Sequence, residues 1–216
     1  LRPDVGAALE HVPRERFVPV ESIAFSADDV ALPLTEDGAA TISSLDSYAR
    51  MFALLDLSPG DALVELGSGT GYGAALAAEI VGAGGRVLAL EIDGELASDA
   101  RENLAQYPQV EVRAADAHHV DEWSGARKVA CCFALESLPG AWSGALAEGA
   151  VLVAPIGSAR QQRLVRFEKR GDALVPSEHE RVLYVADRGQ RPASERTRAR
   201  QASGTASSEV RTLSPK

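Results

Sequence analysis

Three carboxylates and a run of glycines are the residues of this chain best suited to hold a ligand: Glu65, the turn Gly67-Ser68-Gly69-Thr70-Gly71, Glu91 and Asp116. A turn this poor in side chains lets backbone approach a ligand closely. An acid about 20 residues further on, here Glu91, is placed to accept two hydrogen bonds from a ribose diol. Asp116 is placed to receive an adenine amino group. The implied chemistry is nucleoside binding. Spacing then separates the candidates: the dinucleotide fingerprint G-x-G-x-x-G wants glycine where Tyr72 stands, whereas G-x-G-x-G is complete at 67, 69 and 71. A slipped frame, Gly69-x-Gly71-x-x-Ala74, fits the dinucleotide pattern but starts inside the turn. The spacing therefore favours S-adenosylmethionine over NAD.

Such residues need a frame. Ala62–Leu66 is an apolar run of strand length, an alanine-rich helix follows from Tyr72 to Val81, and Val87–Leu90 forms a second apolar run that ends on Glu91. Further on, the pattern predicts a helix from Glu95 to Tyr107 closed by Pro108, strands at Val110–Ala114, Lys128–Ala134 and Val151–Pro155, and a helix holding Trp142–Leu146. Upstream, Asp4 caps a helix reaching His11, and Leu45, Tyr48, Met51, Phe52 and Leu55 recur at helical spacing behind Ser43 or Ser44, in a helix ending at Leu57. Strands alternating with helices imply an α/β fold with a parallel sheet covered on both faces. Gln162–Glu168 and Arg181–Ala186 predict an antiparallel hairpin completing it. The carboxyl ends of the strands then bring Glu65, Glu91 and Asp116 to one rim, where ligands of such sheets bind.

Composition narrows the classes. A chain of 216 residues, 45% hydrophobic, suits one α/β domain. No apolar run approaches the roughly 18 residues of a membrane span, so a cytoplasmic protein is expected. From Arg188 onward seven Lys/Arg face two Asp/Glu, a net of +5; the preceding residues carry fifteen against twenty-nine, or −14. So acidic a body argues against a nucleic-acid partner. The tail 188–216 reads as a mobile basic arm. Cys131 and Cys132 read as small buried hydrophobes, His118 and His119 as a surface loop, and no spacing suggests a metal. No G-x-S-x-G elbow is present for a nucleophilic serine.

Three segments, PRERFVP at 13–19, LPLTEDGAATISSLDSYARMFALLDLSPGDALVELGSGTGYGAALAAEI at 32–80 and LAEGAVLVAPIGSARQQRLVRFE at 146–168, resemble the protein-L-isoaspartate (D-aspartate) O-methyltransferase family. The resemblance implies a Rossmann-like class I S-adenosylmethionine-dependent methyltransferase, with a seven-stranded, mostly parallel sheet and a C-terminal antiparallel hairpin. It makes Ser43 the active-site residue. It puts Ala40, Thr41, Ile42, Ser43, Glu65, Gly67, Ser68, Gly69, Gly71, Glu91, Asp116, Ala117 and Gln162 around the donor. S-adenosyl-L-methionine is the implied cofactor and S-adenosyl-L-homocysteine its product. Residues 1–58 would serve the substrate, 59–187 the cofactor, and 188–216 would be the tail. The expected partner is a peptide or protein carboxylate met by a monomer, with neither nucleic acid nor membrane. Ser44-Leu45-Asp46 stands where the family carries a proline, and Leu135-Glu136 where it carries small residues. Three readings stay open: repair of L-isoaspartyl residues, methylation of another carboxylate such as an aspartate of a biosynthetic peptide, and a non-catalytic cofactor-binding interaction protein.

Overall fold

The computed structural model describes residues 3–189. The chain enters through α1 (Pro3–His11), two 3-10 turns (Arg14–Phe17 and Val20–Phe25), and a short antiparallel ribbon of β1 (Leu32–Pro33) and β2 (Thr41–Ile42). Next comes α2 (Leu45–Leu55), which starts where the Ser44 side chain accepts the Ser47 N–H. Asp56 in the left-handed region, at φ 50°, ends it before the expected Leu57.

The sheet consists of β3 (Ala62–Leu66), β4 (Arg86–Glu91), β5 (Val110–Ala114), β6 (Ala126–Cys131), β7 (Leu146–Ser158), β8 (Gln161–Arg170) and β9 (Ala173–Val182). Its helices are α3 (Tyr72–Val81), α4 (Gly94–Asn103) and α5 (Gly140–Ala145). Strand order is β5-β4-β3-β6-β7-β8-β9. The first five strands run parallel and the last two antiparallel, as the sequence implies. Order reverses beside β3, so a crevice opens at the carboxyl ends of β3 and β6.

Helix α3 is buried at every position except Glu79, because alanines let it lie close against the sheet. On that face α1 and α2 pack into the same core, through Val5, Ala8, Met51, Phe52 and Leu55. The other face is filled around Trp123 and Trp142, whose rings meet edge-on at 5.3 Å. Among the described residues no helix is long and apolar enough to cross a membrane.

Four further elements depart from the sequence reading. The second arm of the hairpin is Ala173–Val182, not Arg181–Ala186, because the chain reverses tightly at Gly171 and β9 is an edge strand. Being exposed along most of its length, β9 has no apolar alternation to read, and its Pro176 is tolerated at an edge. Helix α4 stops at Asn103, four residues before Tyr107; Leu104 turns inward onto Gly71, where an added Cβ would lie 2.6 Å from its Cδ1. Strand β6 spans 126–131 in place of 128–134, and α5 ends at Ala145, leaving Leu146 to start β7.

Candidate active site

Strand β3 delivers the chain into the glycine turn, where Gly67, Gly69 and Gly71 all adopt positive φ (81°, 56° and 94°) that other residues rarely take. Gly73, in the first turn of α3, serves a different need. A Cβ there would stand 1.9 Å from Glu65 Oε1, so its absence lets the Glu65 carboxyl tuck beneath the helix. Glu65 is 2% exposed, and burial pushes its carboxyl up to about 8, opposed by hydrogen bonds from the Cys132 thiol and the Ala74 backbone. The second oxygen of Glu65 and the buried Ser68 hydroxyl have no hydrogen-bond partner among the described residues.

Glu91 ends β4 and is 4% exposed. Its Oε2 accepts the Gly69 N–H at 2.8 Å and its Oε1 the Asp93 N–H at 2.9 Å, which fastens the acid to the turn. Arg188 also donates to Oε1, at 2.8 Å, with its other terminal nitrogen 3.4 Å from Asp93. Asp116 follows β5. Burial would raise its carboxyl, but hydrogen bonds from the His118 backbone and ring, with the charges of His118 and His119, hold it below the ordinary value. His118 is thus no simple surface residue: its ring lies 2.9 Å from Asp116 and 3.2 Å from Asp187.

A groove at this rim is lined by Ala40, Thr41, Gly67, Gly69, Glu91, Asp116 and Ala117 of the expected set. Ile42 is turned into the core at 2% exposure, Gly71 backs onto α4, and Glu65 and Ser68 lie beneath the turn. Gln162 is placed away from the groove. Its side chain accepts the Tyr184 N–H at 2.7 Å and donates to the Tyr184 carbonyl at 3.1 Å, so it anchors the segment leading to 185–189. Cys132, read as a buried hydrophobe, lines the groove and directs its thiol to Glu65. Cys131, its neighbour, faces the opposite core.

Ser43 stands half-buried at the end of β2, and its carbonyl accepts from Arg14 at 2.9 Å. Arg14, 4% exposed, also donates to the carbonyls of Ser26, Asp28 and Val30. One guanidinium thus ties loop 26–30 to Ser43. The turn joins the same assembly, since the Thr70 hydroxyl donates to the Phe17 carbonyl at 2.6 Å. Asp46, whose charge would repel an acceptor carboxylate, is exposed and paired with Arg50, and Glu136 is exposed.

Sequence reasoning missed Arg14, Arg188 and the segment Val185–Gly189, which forms one wall of the groove. Arg14 had only a weak local signal, one of two arginines beside the apolar Phe17-Val18 in PRERFVP. Arg188 had none, being 97 residues from its partner.

The sheet order, the glycine turn and the acids ending β4 and following β5 define the fold of S-adenosylmethionine-dependent methyltransferases. Residues 1–191 match the family model for Protein-L-isoaspartate(D-aspartate) O-methyltransferase, and the chain belongs to that family. It is 36% identical over 183 residues to the protein-L-isoaspartate O-methyltransferase of Aeropyrum pernix, covering 82% of this chain and 70% of that one. Identity to the Pyrobaculum neutrophilum enzyme of the same name is 35% over 190 residues, covering 84% and 88%. A solved protein-L-isoaspartate O-methyltransferase shares the fold, with a TM-score of 0.80 at 24% identity, over 91% of this chain and 65% of that one.

Proposed function

We propose that the protein transfers a methyl group from S-adenosyl-L-methionine to the free carboxylate of L-isoaspartyl residues in damaged peptides and proteins. The observation that carries the donor half is the fate of the turn's N–H groups. Those of Gly67 and Ser68 donate to the Leu90 carbonyl (2.8 and 3.1 Å), that of Gly69 to Glu91 (2.8 Å) and that of Gly71 to the Ser68 carbonyl (2.9 Å). A dinucleotide's pyrophosphate would need such donors free. A sulfonium nucleoside carries no phosphate and needs only bare backbone and strand-end acids.

The donor supplies a methyl group already activated by the positive sulfur. An acceptor oxygen bonds to the methyl carbon as the carbon–sulfur bond breaks and its electron pair returns to sulfur. The acceptor is ionised at neutral pH, so no general base is required. Residues of the chain therefore act by placement. Glu91 holds the ribose, Asp116 with Ala117 the adenine, and Ala40, Thr41 and Ser43 the wall where donor and acceptor meet. Ser43 orients the acceptor carboxylate by a hydrogen bond. Alignment and exclusion of water can supply up to about 7–11 kcal/mol in such reactions. Residues 1–58 present the acceptor and 59–187 hold the donor. An acidic body, net −14 before Arg188, is compatible with a cytoplasmic monomer acting on peptides rather than on nucleic acid.

Methyl-ester formation on the isoaspartyl and aspartyl versions of one peptide tests this reading. Methylation confined to the isoaspartyl form is expected. Equal rates on both, or none on the isoaspartyl form, overturn the choice of acceptor.

A further inference from the structure

Glu91, the acid placed for the ribose, already carries a cation. Its Oε1 takes both the Asp93 N–H and the Arg188 guanidinium, and its Oε2 takes the Gly69 N–H. A carboxylate oxygen has two lone-pair sites, so Oε1 is full and Oε2 has one left. A ribose diol gripped through both oxygens needs one on each. It obtains the second only when Arg188 lets go.

The segment bearing Arg188 is itself fastened across the groove. The Asp187 N–H donates to the Ala134 carbonyl at 3.0 Å, and the Ala134 N–H to the Val185 carbonyl at 2.8 Å. Asp187 Oδ2 lies 3.2 Å from His118 Nε2. Two residues on, a Cβ at Gly189 would stand 2.7 Å from Asp116 Oδ1, so the backbone runs over the acid placed for the adenine. The groove offers a cavity volume of about 50 Å³. Cofactor pockets are typically about 300–1,000 Å³. A nucleoside therefore enters only as this strap gives way.

The geometry points to Arg188 as an internal competitor with the ribose for Glu91, a donor-site residue that sets affinity and helps eject the spent cofactor by re-forming its pair. Asp93, 3.4 Å from the second terminal nitrogen, gives the guanidinium a carboxylate to retain when Glu91 is surrendered, so the exchange avoids stranding a bare charge. The strap then closes over the bound nucleoside or over the empty acid. This inference rests on the donor site proposed above.

The test is calorimetric titration of S-adenosyl-L-homocysteine into the full chain and into its Arg188→Gln and Arg188→Lys variants. Removing the competitor should tighten binding in Arg188→Gln by about tenfold, the scale of one hydrogen bond to a charged group. The same product should inhibit methyl transfer at about tenfold lower concentration, with Arg188→Lys between the two. Arg188→Gln binding that matches the wild type within about twofold, or is weaker, while the wild type binds and methylates normally, overturns the competitor role alone. No binding by any of the three overturns the donor site as well.

Discussion

Arg14→Lys is the substitution whose outcome the structure specifies most fully. In the wild type, one terminal nitrogen of Arg14 donates to Ser26 (3.2 Å) and Asp28 (3.0 Å), the other to Val30 (2.7 Å) and Ser43 (2.9 Å). A lysine keeps the charge but directs its protons from a single atom, so it serves one pair of carbonyls and abandons the other. At about 1.5–3 kcal/mol for each hydrogen bond to a charged group, two lost bonds set a ceiling of about 3–6 kcal/mol. Asp28 and Val30 are exposed, so water partly replaces the lost donor, which brings the expected cost to about 2–4 kcal/mol. For a chain of this size, that lowers Tm by roughly 5–15 °C. Whichever pair the lysine keeps, Ser43 loses its tether to Ser26 and Asp28 in the same step, so turnover should fall about tenfold or more while affinity for S-adenosyl-L-homocysteine stays within about twofold. Differential scanning fluorimetry, methyl-transfer kinetics and calorimetry read the three quantities. A Tm within about 2 °C of the wild type would refute the clamp's energetic weight. A donor affinity falling in step with turnover would show that Arg14 acts on the whole site rather than on its acceptor side.

Three further outcomes are expected. Glu91→Ala should weaken S-adenosyl-L-homocysteine binding by about 1.5–3 kcal/mol, roughly tenfold to 150-fold, by calorimetry, and unchanged affinity would remove Glu91 from the ribose site. Ser43→Ala should lower turnover at constant donor affinity, whereas an unchanged rate would leave Ser43 outside the mechanism. Glu65, pushed by burial to about 8, stays neutral in the fold while the unfolded chain ionises it above its ordinary 4.5. The fold accordingly holds more protons than the unfolded chain, and this group's contribution to stability falls as pH rises from about 4.5 to 8. Glu65→Gln should flatten that part of the Tm-versus-pH curve, and parallel curves for the two proteins would contradict the burial effect.

Much of the donor side was legible because it is local. Ala62–Leu66 and Tyr72–Val81 are largely apolar and end at Gly67 and Gly82, Val110–Ala114 alternates apolar and charged residues after Pro108, and the structure keeps all three with the expected bounds. The illegible parts depend on partners far away in sequence. Strand β9 is held by backbone pairing to β8 and shows little side-chain pattern of its own. The strap is defined by Ala134 and Glu91, separated from it by about 50 and nearly 100 residues, and neither pairing leaves a periodic trace. The use of the turn's N–H groups was likewise hidden. The glycine spacing suggests donors beside a ligand, but whether Leu90 and Glu91 claim them first depends on how β4 sits beside β3. Of the tail assigned to 188–216, Arg188 and Gly189 are held against the groove, and 190–216 lies outside the described residues.

A crystal structure with saturating S-adenosyl-L-homocysteine tests the donor site most directly. The ribose diol should bridge the two oxygens of Glu91, with the adenine amino group on Asp116 and the nucleoside lying over Gly67 to Gly71. A ligand bound elsewhere, or a groove still closed by Arg188 on Glu91 at saturation, would contradict it.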